Sequence, residues 1–116
     1  MNKIQAHILG ETISTNSAEA FSLYKKSHFG EPIGGKIQYS ATETLFLVEK
    51  KKIEVFSRNK KLSKENLLNK FKRKDKKITT KYTVFRDLRE KGYLVKTALK
   101  FGAEFRIYDK GHKPEN

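Results

Sequence analysis

The sequence predicts an α+β fold: a small N-terminal domain of mixed strands and helices over residues 1–77, then the first helix and strands of a second domain over residues 78–116. Three observations predict it. Short stretches of period two alternate with short segments of helical period. Three of the helical segments open on a serine, at Ser17, Ser40 and Ser63, the residue type that accepts a bond from a free N–H of the first turn. The sharpest shift in composition, the run KFKRKDKK over residues 70–77, falls between the two parts. A chain of 116 residues holds one domain or two very small ones, and two small cores are marginal without a partner.

The elements follow in order. Ile4, Ala6 and Ile8 alternate with polar residues and predict a strand. Asn16 and Ser17 offer an N-cap to SAEAFSLYKK, in which Ala20, Phe21 and Tyr24 form an apolar stripe. The stretch FGEPIGG breaks the chain, and Gly34-Gly35 turns it into a short strand over Lys36-Ile37-Gln38-Tyr39. Ser40 and Glu43 make an S-x-x-E capping box, followed by Ala41, Leu45 and Val48 on one helical face. That helix runs out in Glu49-Lys50-Lys51-Lys52, and KKIEVFS reads as a strand with Ile53 and Val55 on one side.

A further helix starts at Ser63, with Leu62 and Leu67 suited to a hydrophobic staple and Leu67, Leu68 and Phe71 as its apolar face. The basic run 70–77 reads as a solvated helix end and linker, with an RNA-facing patch as the alternative. The next helix covers about Thr79 to Lys91, on the stripe Ile78, Tyr82, Phe85 and Leu88, with Gly92 as its left-handed C-terminal residue. Two strands follow, Tyr93 to Lys96 and Ala103 to Tyr108.

Composition narrows the function. There is no cysteine, so disulfides and thiolate metal sites are excluded. His7, His28 and His112 have no ligand spacing, and no cofactor is expected. No apolar run approaches the length that spans a bilayer, and the N-terminus lacks an apolar stretch of signal-peptide length, so a soluble cytoplasmic protein is expected. Lys and Arg total 26 against 13 Asp and Glu, a net charge of +13. Such an excess attracts phosphate backbones and releases their condensed counterions. Solubility or heat adaptation would give the same balance.

The last strand carries the most chemistry. Ala103, Phe105 and Ile107 share one face as core candidates, while Glu104, Arg106 and Tyr108 share the other. Tyr108 thus stands on a polar face beside Arg106, either as an amphipathic cover of the sheet or as a reactive group.

Residues 81–111 carry Arg86-Asp87-Leu88-Arg89, Gly92, Tyr93-Leu94-Val95-Lys96 and Leu99-Lys100-Phe101-Gly102-Ala103-Glu104-Phe105-Arg106-Ile107-Tyr108. This stretch resembles the start of the catalytic domain of the archaeal tRNA-splicing endonucleases, where "RDLR–RG" leads into "Y-V-K" and "LK-(F/Y)-G-A-D-F-R-x-Y"; Glu104 replaces the usual Asp. The front half is similar more loosely, through Leu23-Tyr24, Phe29-Gly30, Gly35 to Ser40 and Glu43 to Leu47. The resemblance implies a restriction-nuclease-like second domain and metal-independent cleavage of precursor tRNA at a bulge-helix-bulge, leaving 2′,3′-cyclic phosphate and 5′-hydroxyl ends. It implies Tyr108 as the general base on the ribose 2′-hydroxyl, with Arg106 and Lys110 as cations beside it that contact RNA. It also implies an acid and a lysine that no residue here matches, since His112 stands too close to Tyr108, and hence a catalytic set left incomplete in this chain. The partners implied are precursor tRNA and other endonuclease subunits or a further C-terminal segment, in a homo- or hetero-oligomer, with no membrane. Three other readings compete: a non-catalytic structural subunit, a basic RNA-binding module, and a metal-dependent nuclease echoed weakly in Glu104-Phe105-Arg106.

Overall fold

The opening alternation folds as a strand that forms one interior line of a six-stranded sheet. The computed structural model describes residues 3–97 and 105–108, with residues 96, 97 and 105–108 described as backbone alone. Strand β1 (Ile4–Leu9) buries Ile4, Ala6 and Ile8 and exposes the residues between them. It turns through Gly10 and Glu11 into β2 (Thr12–Thr15), a strand that the sequence reading did not predict. The signal was the Gly-X pair between Leu9 and Thr12, a two-residue hairpin loop with its glycine at positive φ.

Helix α1 (Ala18–Ser27) begins where expected, with the Ser17 hydroxyl accepting from the Ala20 N–H. Strands β3 (Glu31–Ile33) and β4 (Lys36–Tyr39) form a hairpin through Gly34 and Gly35, at φ +58 and +78. Helix α2 (Ala41–Glu49) has the predicted capping box. The Ser40 hydroxyl accepts from the Glu43 N–H, and the Glu43 carboxylate accepts from the Ser40 N–H at 3.0 Å. The other Glu43 oxygen accepts from the Gly30 N–H at 2.7 Å, so the box also ties the start of β3 to the helix. Gly30 is needed there: its φ is +85 and a Cβ would overlap the Ile37 side chain.

The apolar stripe expected for α2 proves too narrow. Every residue from Ala41 to Leu47 is buried. The helix lies between the sheet on one side and two further helices on the other, so its first seven residues are covered all round. Strand β5 (Ile53–Ser57) then pairs parallel to β1, and β6 (Lys60–Leu62) closes the sheet in the order β3-β4-β2-β1-β5-β6. All the other pairings are antiparallel.

Helix α3 (Lys64–Lys74) takes in the first five residues of the basic run, the helix end that the sequence predicted. Lys70 to Lys74 are helical, because Leu67 and Phe71 at i and i+4 are buried and hold the last turn on the core. Only residues 75–77 connect it to α4 (Ile78–Glu90). Ile78, Tyr82 and Phe85 of α4 join the same apolar cluster as Ile4, Val55 and Leu45. The chain ends its described part in a separate two-stranded sheet, β7 (Leu94–Thr97) with β8 (Phe105–Tyr108). Ala103 and Glu104, expected at the start of that last strand, lie outside the described residues. Among the described residues no helix is long and apolar enough to cross a membrane.

Candidate functional site

Helix α4 positions β7, the strand that pairs with the one carrying positions 106 and 108. Phe85, fully buried, meets the Phe46 ring edge-on at 5.7 Å and fixes the middle of the helix. The helix ends in a Schellman motif: the Gly92 N–H donates to the Arg89 carbonyl and the Tyr93 N–H to the Leu88 carbonyl, both at 3.0 Å. Gly92 sits at φ +94, the left-handed residue that the sequence predicted. The motif sends the chain directly into β7, whose Val95 is fully buried.

Arg89 braces this exit. Its guanidinium lies 4.0 Å from the centre of the Phe29 ring and donates to the Ser27 carbonyl at 2.9 Å. Longer contacts, at 3.5 Å, reach the carbonyls of His28 and Val95. One side chain therefore joins the end of α1, helix α4 and strand β7. Burial pulls its pKa down to about 10, opposed by the field of Glu43. It remains charged at neutral pH.

A second brace lies at the end of α2. The Glu49 carboxylate accepts from Lys64 at 2.8 Å, from the Tyr82 hydroxyl at 2.7 Å and from Arg86 at 3.3 Å. Bonds from Lys64 and Tyr82 hold it at about 2, with Lys64 and Arg86 adding their charge. The same bond and the burial of the ring push the Tyr82 phenol well above the usual range. Tyr39 is raised by burial and by Glu43, and Tyr24 by burial and by Glu31.

The β7–β8 register is Leu94 opposite Tyr108, Val95 opposite Ile107, Lys96 opposite Arg106 and Thr97 opposite Phe105. Directly opposed positions share a face of an antiparallel pair. Positions 105 and 107 therefore lie on the face of buried Val95, and positions 106 and 108 on the face of Leu94 and position 96. Two residues of strand separate positions 106 and 108, about 7 Å along the chain. Lys110 and His112 lie outside the described residues. Sequence reasoning took Glu49 only as the end of a helix and Arg89 only as a letter of a motif. Nothing in its neighbours signals that a cation five residues before a strand lies half-buried against a ring. Among the described residues, no group of three or more His, Cys, Asp or Glu is arranged to hold a metal ion.

Comparison with known proteins gives this geometry a context. Residues 4–68 match the family model described as tRNA intron endonuclease, N-terminal domain, and residues 78–116 match tRNA intron endonuclease, catalytic C-terminal domain. A tRNA-splicing endonuclease of Thermococcus gammatolerans is 41% identical over 106 residues, which cover 90% of this chain and 63% of that protein. The protein of the same name from Thermococcus onnurineus is 45% identical over 89 residues, 77% of this chain and 52% of the relative. That of Methanothermobacter thermautotrophicus is 35% identical over 108 residues, 91% of this chain and 62% of the relative. The chain thus spans less than two thirds of the length of each of these relatives. One family match ends within α3 and the other begins at the first residue of α4, and the chain belongs to the tRNA intron endonuclease family.

Proposed function

We propose that this chain forms part of a subunit that cuts precursor tRNA at intron boundaries, with Tyr108 as general base. The proposed division of labour follows Lys77: residues 1–77 make the supporting domain, and residues 78–116 begin the catalytic one. In the reaction the 2′-oxygen attacks the adjacent phosphorus and the bond from phosphorus to the 5′-oxygen breaks. The products are a 2′,3′-cyclic phosphate and a free 5′-hydroxyl. Tyr108 takes the proton from the 2′-hydroxyl as the new bond forms. The leaving 5′-oxygen needs a proton from an acid that no residue of this chain matches. Arg106 and Lys110 contact the RNA and supply a positive field that stabilises a phenolate, whose ordinary pKa is about 10. Residues 1–116 alone are proposed to be inactive, because acid and phosphate-stabilising lysine come from further chain or from a partner subunit of an oligomer. No metal takes part in this scheme.

The observation that carries the reading is the pairing of β8 with β7. It sets positions 106 and 108 on the face away from buried Val95, so base and cation share one side of the strand. The other tyrosines with perturbed phenols, Tyr24, Tyr39 and Tyr82, are all shifted upward, which disfavours the phenolate that a base requires. Single-turnover cleavage of a bulge-helix-bulge RNA by the whole subunit assembly tests it. Tyr108→Phe is expected to slow cleavage by at least ~100-fold with RNA affinity nearly unchanged. EDTA is expected to leave the rate unaltered, and residues 1–116 alone to leave the RNA uncut. Near-normal cleavage by Tyr108→Phe removes that residue from the mechanism.

A further inference from the structure

We propose that the outer side of the α3 end and the turn after it, Lys70, Lys72, Arg73, Lys76 and Lys77, is a docking ridge for the phosphate backbone of paired RNA. This rests on the reading above that the protein acts on a precursor tRNA. Lys61 pairs with Glu54, Lys64 and Arg86 with Glu49, Lys81 with Asp75, and Lys91 with Asp87. Other cations, Lys25, Lys26, Lys36, Arg58 and Lys60 among them, also have no ion pair among the described residues, but in the run of residues 70–77 six cations fall within eight positions, the densest cluster of the chain. Lys74 meets Glu11 at 3.4 Å, and the other five cations have no ion pair among the described residues. Lys72, Arg73, Lys76 and Lys77 are exposed.

The helix dipole accounts for part of this, since cations in a last turn stabilise the free carbonyls there. Lys72, Arg73 and Lys74 are so placed. Lys76 and Lys77 lie past the helix end and gain nothing from it. Five such charges within eight residues repel one another. A duplex presents one negative charge per about 1.7 Å of axis, so such a ridge faces several phosphates at once.

The ridge is also rigid. Leu67 and Phe71 are 0% and 3% exposed, so the helix that carries the cations is seated on the core. The turn is locked by Asp75, whose carboxylate accepts from the Lys77 N–H at 2.9 Å and from the Lys81 ammonium at 2.7 Å. Phosphates meeting a preset array spare the cost of ordering a flexible tail. A second basic turn, Lys50-Lys51-Lys52, is shorter, and Lys50 already lies over the Phe46 ring at 5.4 Å. It serves as the control.

The test measures binding of the intact protein to a fully paired RNA hairpin with no intron junction, so that affinity is read without cleavage. Two triple variants remove equal charge: K72Q/R73Q/K76Q and K50Q/K51Q/K52Q. The ridge variant is expected to lower the slope of log K against log salt by about 2.7, at about 0.9 per phosphate contact, and to bind at least about tenfold more weakly at low salt. The control is expected to lose less than about threefold. Matching thermal melts show that both variants fold. Equal losses in the two variants mean that net charge alone attracts RNA, and the ridge proposal falls. It falls too if the ridge variant binds RNA normally but loses binding to a polyglutamate peptide, which marks an acidic protein as the partner. If ridge-dependent hairpin binding holds while the whole subunit assembly leaves precursor tRNA uncut, the cleavage reading fails and the ridge stands.

Discussion

The junction of α2, α3 and α4 at Glu49 and the far end of α3 use the same residue types in opposite ways. At the junction one carboxylate gathers Lys64, Arg86 and the Tyr82 hydroxyl from two helices. At the far end Lys72, Arg73, Lys76 and Lys77 stand without ion pairs among the described residues. Composition counts both sets as basic residues. The difference teaches that paired cations are spent on holding helices together, and that the unpaired ones remain free to meet a partner. It depends on the far end being as well seated as the junction.

The strongest way to break the comparison is to unseat that end. Phe71 is 3% exposed and is the last apolar anchor of α3 before the basic turn. Phe71→Ala removes a large ring from the core and is expected to cost about 3–5 kcal/mol. The melting temperature should fall by roughly 10 °C or more. Urea or thermal unfolding checks it. A cost below about 1 kcal/mol would mean that the end of α3 is not held by the core. Its cations would then sit on a frayed linker rather than on a ridge.

The second prediction bears on the junction itself. Glu49 is held at about 2, against an ordinary 4.5, by the bonds from Lys64 and Tyr82. A carboxylate depressed by folding contributes stability that is fully present above its unfolded pKa and is lost as pH falls through its folded one. The window is therefore from about pH 4.5 down to about pH 2. Glu49→Gln is expected to cost about 1 kcal/mol at neutral pH, a modest value because the pair is partly open to solvent. It should also make the loss of stability over that window shallower than in the wild type. Urea midpoints measured from pH 6 to pH 2 decide it, and parallel curves would show that the carboxylate gains nothing from its three donors.

These two regions also show what was legible in the sequence. The capping box at Ser40 and Glu43, the caps at Ser17 and Ser63 and the Gly92 terminus were readable because each is a local device with a fixed spacing. So was the stripe Ile78, Tyr82 and Phe85, three residues of one helical face. What escaped depends on neighbours distant in sequence. The burial of α2 from Ala41 to Leu47 follows from being covered by both a sheet and two helices. Period alone reports only one covering layer. The parallel pairing of β1 with β5 joins residues about fifty positions apart, and no turn signal announces it. In the candidate site, the alternation of residues 103–108 named Tyr108 and Arg106 as a pair on one face. The Arg89 brace is contacts with Ser27, Phe29 and Val95, which no spacing rule predicts. The basic run was legible in part: Phe71 on the face of Leu67 and Leu68 announced a helix end, whereas how firmly the core seats that end depends on residues distant in sequence.

The smallest expected effect gives the comparison its finest test. Lys91 ends α4 and meets Asp87 at 3.0 Å, four residues before it on the helix, with both side chains about 60% exposed. An acid placed four residues before a base at a helix C-terminus is the favourable orientation, yet an exposed pair of this kind contributes only about 0.3–0.5 kcal/mol. The dipole adds a few tenths at most. Lys91→Gln should therefore lower stability by about 0.5 kcal/mol at low salt. At 1 M salt the Debye length is about 3 Å, and the loss should largely vanish. The substitution removes one positive charge, the same as Lys72→Gln. If pairing is what separates the two regions, Lys91→Gln should weaken binding of the paired RNA hairpin by less than about twofold, while Lys72→Gln costs more and lowers the salt slope by about 0.9. Equal losses per charge from the two single variants would mean that RNA senses only the total charge of the protein, and that the ion pair with Asp87 makes no difference to what Lys91 can bind.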